Sequence, residues 1–275
     1  MRINNNISAI NAQRNLFMNE LSLSKSVERL SSGLRINHAS DDAAGLSISE
    51  RLRAQIRGLA QAQRNAQDGI SLVQTAEGAM TQVHDMLQRM RELAVQASND
   101  TLSSADLTSV NSELQALSAE VDAISTSTQF NGKVLLDGSF SGNFQVGPNA
   151  ADTLAVTIAD SSTTGLGVAA ALSTFNTTQS VANAQALITA VDSGIDALSG
   201  IRSSLGASQN RLDYTVANLG VAYENTVASE SRIRDADFAK ETVNFTKSQI
   251  LQQSGTAILA QANSMPQSVL TLLKG

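Results

Sequence analysis

Cysteine and tryptophan are absent from this 275-residue chain, which has only two Pro, seven Phe and two Tyr. Without cysteine there is no disulfide framework, no thiolate-ligated zinc or iron–sulfur centre and no thiol nucleophile. Nineteen Lys and Arg stand against 25 Asp and Glu, a net charge of −6. Phosphate neutralisation needs a basic face, so this balance argues against nucleic acid as a partner. No window approaches the ~20 apolar residues needed to cross a bilayer, so no membrane partner or span is expected. Met1 to Leu16 are polar and Asn-rich, without a basic stretch leading into an apolar run. A cleaved secretory signal is therefore not expected, which taken bare points to the cytoplasm.

Scarce aromatics also bear on shape. Aromatic side chains dominate the cores of globular enzymes, so nine in 275 residues disfavour two thick cores and suit thin helical bundles. Pro148 and Pro266 lie outside the long central segments, which can stay helical because no backbone donor is lost.

What is present is apolar spacing. Leu52, Ile56, Leu59, Ala66 (after a skipped Gln63), Ile70 and Val73 alternate steps of four and three. Val73 to Ala76 is a second step of three, after which Met80, Val83, Leu87, Met90, Ala94 and Ala97 resume the alternation. The pattern is a coiled-coil seam with a stammer, on a helix over about 46–98 that is on the order of 75 Å long at ~1.5 Å per residue. Asn99-Asp100-Thr101 forms a polar break. Leu107, Val110, Leu114, Leu117, Val121 and Ile124 then predict an antiparallel neighbour over about 104–128. A third seam runs Val181, Ala184, Ile188, Val191, Ile195, Leu198, Leu205, Leu212, Val216, Leu219 and Tyr223, predicting a helix over about 178–228. Arg202 and Gln209 occupy two of its seam positions, where polar residues fix register or snorkel outward.

Between the second and third seams the period falls to two. Phe130-Asn131-Gly132 reads as a turn, Lys133 to Leu136 as a strand, Asp137-Gly138 as a hairpin turn and Asn143 to Val146 as the returning strand. Thr153 to Ile158 is a further alternating run, followed by Ser/Thr/Gly-rich residues 160–167, so the β region covers about 130–160.

Both chain ends carry apolar stripes on otherwise polar helices. At the start these are Ile3, Ile7, Ile10, Phe17, Leu21, Val27, Leu30 and Leu34; at the finish Ile250, Leu251, Ala257, Ile258, Ala262, Met265, Val269, Leu270, Leu272 and Leu273. One amphipathic helix cannot bury its stripe alone, so each end is expected to pair with the other and to leave apolar surface for further copies.

Chemistry is nearly absent. Two histidines, His38 and His84, have no H-E-x-x-H spacing. His38 reads as a solvated loop residue and His84 as a seam-edge one. Gly165-Leu166-Gly167 lacks the third glycine of a dinucleotide loop, and neither the nucleophile elbow nor the phosphate loop occurs. Asp41-Asp42, Arg89 with Glu92 and Arg232 with Asp235 read as helix-start charges and i,i+3 pairs. No catalytic residue, metal site or cofactor is expected.

Several motifs carry a resemblance. Met1-Arg2-Ile3-Asn4, Leu30-Ser31-Ser32-Gly33-Leu34-Arg35-Ile36-Asn37, Asp41-Asp42-Ala43-Ala44-Gly45-Leu46, Gln88-Arg89-Met90-Arg91-Glu92-Leu93-Ala94-Val95-Gln96 and Gln129-Phe130-Asn131-Gly132 look like bacterial flagellin. Ser231-Arg232-Ile233-Arg234-Asp235-Ala236-Asp237 and Leu270-Thr271-Leu272-Leu273 extend the likeness over nearly the whole chain. Residues 140–175 are too few for the outer domains that larger flagellins insert there.

The resemblance implies a mainly α chain: a long antiparallel coiled-coil or helical-bundle rod with a small β-hairpin region, plus paired N- and C-terminal helices. Residues 1–45 and 230–275 would be the inner helical domain and 46–229 the rod. It implies a structural subunit that self-assembles into the flagellar filament for swimming motility; the alternative is the hook–filament junction protein. An enzyme or adhesin on this scaffold would need an inserted domain. The cytoplasmic expectation gives way to export through the flagellum's own apparatus, unfolded and without a cleaved signal. Implied partners are other copies in a homopolymer, an export chaperone, junction and cap proteins, and in a host the Toll-like flagellin receptor. By resemblance, Arg89, Leu93 and Glu113 form that receptor's contact, and Leu270, Leu272 and Leu273 the contact of cytosolic inflammasome sensors. The polymerisation stripes are Ile3, Ile7, Ile10, Phe17, Leu21, Ile250, Ile258, Met265, Val269 and Leu272.

Overall fold

A computed structural model describes the backbone of residues 6–274 and the side chains of residues 6–265. The described fold is mainly α. Its helices are α1 (Ile7–Ser32), α2 (Ala43–Ala97), α3 (Ser104–Ser127), α4 (Val168–Thr177), α5 (Val181–Arg234) and α6 (Phe238–Lys274). Four short strands lie between α3 and α4: β1 (Gln129–Phe130), β2 (Lys133–Val134), β3 (Ser141–Gln145) and β4 (Thr153–Thr157). The chain divides into two compact units, one of Met1–Ile56 with Glu224–Gly275 and one of Arg57–Tyr223.

The Arg57–Tyr223 unit holds the main core, to which α2, α3, α4 and α5 all contribute. In α2 the buried line runs Leu59, Ala62, Ala66, Gly69, Val73, Ala76, Met80, Val83, Leu87, Met90, Ala94 and Ala97. That is an unbroken alternation of three and four, so the expected stammer is absent. The seam passes through Ala62 and Gly69, beside the half-buried Gln63 and Ile70 that suggest a slip in the sequence. Gly69 occupies a core position because little else fits: a Cβ there would lie 3.2 Å from the Phe144 ring and 3.3 Å from Leu212. Small residues at tight crossings are invisible to a search for large apolar ones.

Opposite this line α5 buries Ala184, Leu187, Val191, Leu198, Leu205, Leu212 and Leu219. The helices are antiparallel, since Arg91 bonds Asp192 at 2.6 Å while Gly69 meets Leu212. Arg202 leaves the seam towards Glu77, 3.8 Å away, as a snorkelling residue does. Helix α3 starts in a capping box, with the Ser103 hydroxyl accepting from the Asp106 N–H and the Asp106 carboxylate accepting from the Ser103 N–H. It turns Val110, Leu114 and Val121 inward.

The β region differs from expectation. β1 and β2 pair across Asn131-Gly132, where φ values of 49° and 76° put both residues in the left-handed region that a tight two-residue hairpin requires. Lys133 to Leu136 does not pair with Asn143 to Val146; β3 pairs antiparallel with β4, Ser141 opposite Thr157. Leu135 and Leu136 are both fully buried, which consecutive residues of a one-faced strand cannot be. The chain instead turns inward there, the Leu136 carbonyl accepting from the Ser125 hydroxyl and the Ser161 N–H. Helix α4 has no counterpart in the sequence-based expectation. It begins after Gly167 (φ 75°) and buries Val168, Leu172 and Phe175, spaced four and three.

In the terminal unit α1 and α6 run antiparallel, tied by Asn6 to the Ala262 carbonyl (2.7 Å) and Asn19 to the Ser248 carbonyl (2.8 Å). The least exposed positions of α1 are Ala9, Ala12, Leu16, Asn19, Leu23, Ser26 and Leu30. Those of α6 are Glu241, Phe245, Ser248, Gln252, Gly255, Leu259 and Ala262. The ends do pair, through a mixed seam in which Leu16, Leu23, Leu30, Phe245 and Leu259 alternate with small and polar residues; Leu30 and Ala262 of the stripes visible in the sequence take part, whereas Ile7, Ile10, Phe17, Leu21, Ile250 and Ile258 do not. Gly33, with φ 71°, ends α1. Its carbonyl accepts from the Ala236 N–H, and Leu34 bridges to Asp235. The Asp41 carboxylate accepts from the N–H groups of Asn37 and His38, and these bonds, with Lys25 and Arg29 nearby, hold its pKa below the ordinary 3.8. Arg53 to Glu230 (3.0 Å) and Arg234 to Glu50 (2.6 Å) join the start of α2 to the end of α5.

Candidate functional site

The apolar stripes of α1 and α6 point to solvent. Ile7, Ile10, Phe17 and Leu21 are 54, 59, 65 and 49 % exposed, and Ile250, Ile258 and Met265 are 57, 60 and 52 % exposed. The geometry is helical arithmetic: Ile7 and Leu21 precede the seam positions Ala9 and Leu23 by two residues, about 200° round a helix of 3.6 residues per turn. Ile3, and the side chains of Val269, Leu270, Leu272 and Leu273, lie outside the described residues. Met18, Phe238 and Val243 are as exposed but escape the sequence pattern; their signal is an apolar residue off the three-four line. On α6 a shallow apolar cleft is lined by Val243, Ile250 and Leu251. A second, between α1 and α6, is lined by Leu16, Leu251 and Ile258.

Single exposed apolar residues are ordinary, whereas so many on one helix pair form an extended apolar face.

Arg89 stands on the outer side of α2. Its Nε and Nη2 donate to Glu113 of α3 at 3.0 and 2.8 Å, and its Nη1 donates to Glu92 at 2.9 Å. Glu113 first and Glu92 second hold the guanidinium more firmly protonated than usual. Leu93 faces the other way, only 2 % exposed. The three residues therefore divide into an exposed charged bridge, Glu92–Arg89–Glu113, and a core leucine.

The other polar residues singled out in the sequence, His38, His84, Asp42 and Asp235, each have a structural partner. His38 lies 2.9 Å from Glu28 at the surface, and His84 2.8 Å from Gln88 one turn along α2. Asp42 accepts from the Gly45 N–H at the start of α2, and Asp235 from the Ser231 hydroxyl. Among the described residues no three or more His, Asp or Glu converge as a metal site, and no helix is long and apolar enough to cross a membrane.

Residues 3–141 match the family model of the bacterial flagellin N-terminal helical region, and residues 188–273 that of the C-terminal helical region. The chain belongs to the bacterial flagellin family. It is 52 % identical to a flagellin of Halalkalibacterium halodurans over 277 aligned positions and 48 % identical to a flagellin of Bacillus subtilis over 304, in each case over the whole of both chains. A crystal structure of Bacillus cereus flagellin is similar at 31 % identity with a TM-score of 0.50, covering 57 % of this chain and 88 % of that one. Flagellins are structural proteins, not enzymes, and full-length likeness to them favours the filament subunit over the junction protein.

Proposed function

We propose that this chain is the structural subunit of a bacterial flagellar filament, exported and polymerised with its own copies for swimming motility, and that the outward faces of α1 and α6 are its principal assembly contacts. The observation that carries the second statement is the exposure of Ile7, Ile10, Phe17, Ile250, Ile258 and Met265 on a helix pair whose own seam uses other residues. Burying a Leu- or Phe-sized side chain contributes about 1.5–3 kcal/mol, so covering these faces together stabilises the assembled state over the free chain. In this reading residues 1–45 and 230–275 form the inner helical domain and 46–229 the rod.

Before export the same faces need cover, the role of a chaperone; junction and cap proteins would meet them at the filament ends. The Arg89–Glu113 bridge is the part of the receptor motif a host Toll-like flagellin receptor can reach, with Leu93 supporting α2 from inside. Leu270, Leu272 and Leu273 remain the proposed contact for inflammasome sensors.

Seeded elongation tests the assignment. Purified chain added to sheared filament fragments should extend them in negative-stain images, and deletion of residues 1–30 or 245–275 should abolish growth while α2, α3 and α5 keep most of the helical circular dichroism. Filaments growing from either truncated chain would show that the terminal pair is not the contact.

A further inference from the structure

The methionines whose side chains are described divide by unit. In the Arg57–Tyr223 unit Met80 and Met90 are fully buried in the seam of α2, and Met86 is half-buried against the same core. In the terminal unit Met18 on α1 and Met265 on α6 are 59 and 52 % exposed. Both lie off the line through which α1 and α6 meet. Met18 adjoins Phe17 and, one turn on, Leu21; Met265 follows Ile258 by seven residues, two turns along α6. They stand at different levels of the pair, Met18 beside Asn19, which bonds the Ser248 carbonyl, and Met265 one turn beyond Ala262, whose carbonyl takes Asn6. The chain has no cysteine, so thioethers are its only sulfur groups. The exposed face of the terminal helices therefore combines inert hydrocarbon with two oxidisable sulfur atoms.

We propose that Met18 and Met265 are oxidation sites at which a small peroxide reversibly switches off the assembly competence of the free chain. The inference rests on the filament reading and adds a point of control to it. A lone pair of the thioether sulfur attacks one oxygen of hydrogen peroxide, so that an S–O bond forms as the O–O bond breaks. Sulfur gives up two electrons, and the departing hydroxide takes the proton of the sulfur-bound hydroxyl and leaves as water. A thiol-dependent sulfoxide reductase reverses the step, two thiols closing to a disulfide while the oxygen leaves as water. Susceptibility follows exposure, so Met80 and Met90 are spared. The product carries a polar S=O where the face was apolar. In the free chain that oxygen stays in water, because neither side chain belongs to the seam. At a contact between copies it has to be desolvated without a partner, which is unfavourable. The same contact, once made, shields the sulfur, so the switch acts on subunits before incorporation rather than on finished filament.

Peroxide treatment of the monomer tests the switch. After brief exposure to dilute hydrogen peroxide, peptide mass spectrometry should find an added oxygen on Met18 and Met265 and none on Met80 or Met90, with helical circular dichroism unchanged. On untreated seeds the critical concentration for elongation should rise about tenfold to a hundredfold, the range for desolvating an unpaired polar group. Sulfoxide reductase with dithiothreitol should restore it, a reversal that needs no substitution. A chain with Met18→Leu and Met265→Leu keeps the apolar face and should elongate equally well before and after peroxide. In preformed filaments both residues should resist the same treatment. The inference falls if the oxidised chain elongates at the untreated critical concentration, or if peroxide inhibits the double variant as strongly as the wild-type chain. It falls equally if Met80 and Met90 oxidise as fast as Met18 and Met265, or if the latter two oxidise as fast in filament as in monomer. Failure of the untreated wild-type chain to elongate would instead strike the filament reading beneath it.

Discussion

The two compact units use opposite rules for the same kind of helix. In the Arg57–Tyr223 unit, α2 and α5 bury Met80, Leu87, Met90, Leu198, Leu205 and Leu212 and leave charged pairs such as Arg91–Asp192 outside. In the terminal unit, α1 and α6 meet through a mixed seam, Leu16, Leu23, Leu30, Phe245 and Leu259 together with Asn19, Ser26, Ser248, Gly255 and Ala262, and leave Ile10, Phe17, Ile250 and Ile258 outside. A seam of fully buried large apolar residues stabilises a unit strongly; one in which half-buried leucines alternate with small and polar residues stabilises it less, since helix stability comes mainly from apolar packing. The apolar free energy of the first unit is released when one chain folds. Much of that of the second stays on exposed side chains in the single chain, and in the reading proposed above it is gained when copies meet.

The comparison breaks most visibly at single side chains. Leu87→Ala removes a fully buried side chain and should destabilise the Arg57–Tyr223 unit by about 2–5 kcal/mol, read by urea denaturation of the monomer. Phe17→Ala removes a larger side chain that is 65 % exposed and should change monomer stability by less than about 0.5 kcal/mol, yet prevent or greatly slow seeded elongation. Equal losses of monomer stability from both changes would refute the contrast.

Glycine gives a finer version within one helix. Gly69 faces Phe144 and Leu212 at van der Waals distance, so Gly69→Val overfills the seam and should destabilise by about 1–3 kcal/mol. At Gly78, nine residues on, a Cβ would meet no neighbouring atom within 4 Å, so Gly78→Ala should stabilise the same helix by about 0.5–1 kcal/mol through backbone entropy. Thermal midpoints moving in opposite directions are the expected result.

That contrast also explains what is legible in the sequence. Long runs of Leu, Met and Val at steps of three and four reveal α2, α3 and α5, because in the Arg57–Tyr223 unit an apolar residue and a buried one are nearly the same thing. The pattern slips where Ala62 and Gly69 carry the seam. It passes over α4, whose ten residues contain Ser, Thr and Asn and signal burial only through Val168, Leu172 and Phe175. Strand pairing fails because Asp137-Gly138 looks like a hairpin turn, whereas Gly138 (φ 77°) sits against Asp160 and sends the chain elsewhere. At the ends the apolar residues and their surplus surface are legible, but their spacing does not separate those in the intrachain seam, such as Leu30 and Ala262, from those left exposed, such as Ile10 and Phe17. Periodicity reports that a face is to be buried; it does not say in which copy.

Acid should distinguish the units by the least. Asp41, in the loop between α1 and α2, has a folded pKa below the ordinary 3.8, chiefly through the His38 N–H and also through Asn37, Lys25 and Arg29. A lowered carboxylate value means that the ionised form is the one the fold prefers. Its contribution is therefore complete above about pH 3.8 and is lost as pH falls through the lower folded value. In the other unit Asp106, held down by Ser103, and Asp137, held down by Ser139, follow the same sign at exposed positions. Asp41→Asn keeps an acceptor oxygen but removes the charge, so it should cost the terminal unit about 0.5–1 kcal/mol at neutral pH. It should also flatten the acid limb of the helical melting curve below about pH 3.8 for that unit alone. Because α1 and α6 have so little apolar seam to spare, this small loss should still be visible there as early fraying by hydrogen exchange, while amides of α2 and α5 in the Arg57–Tyr223 unit stay protected.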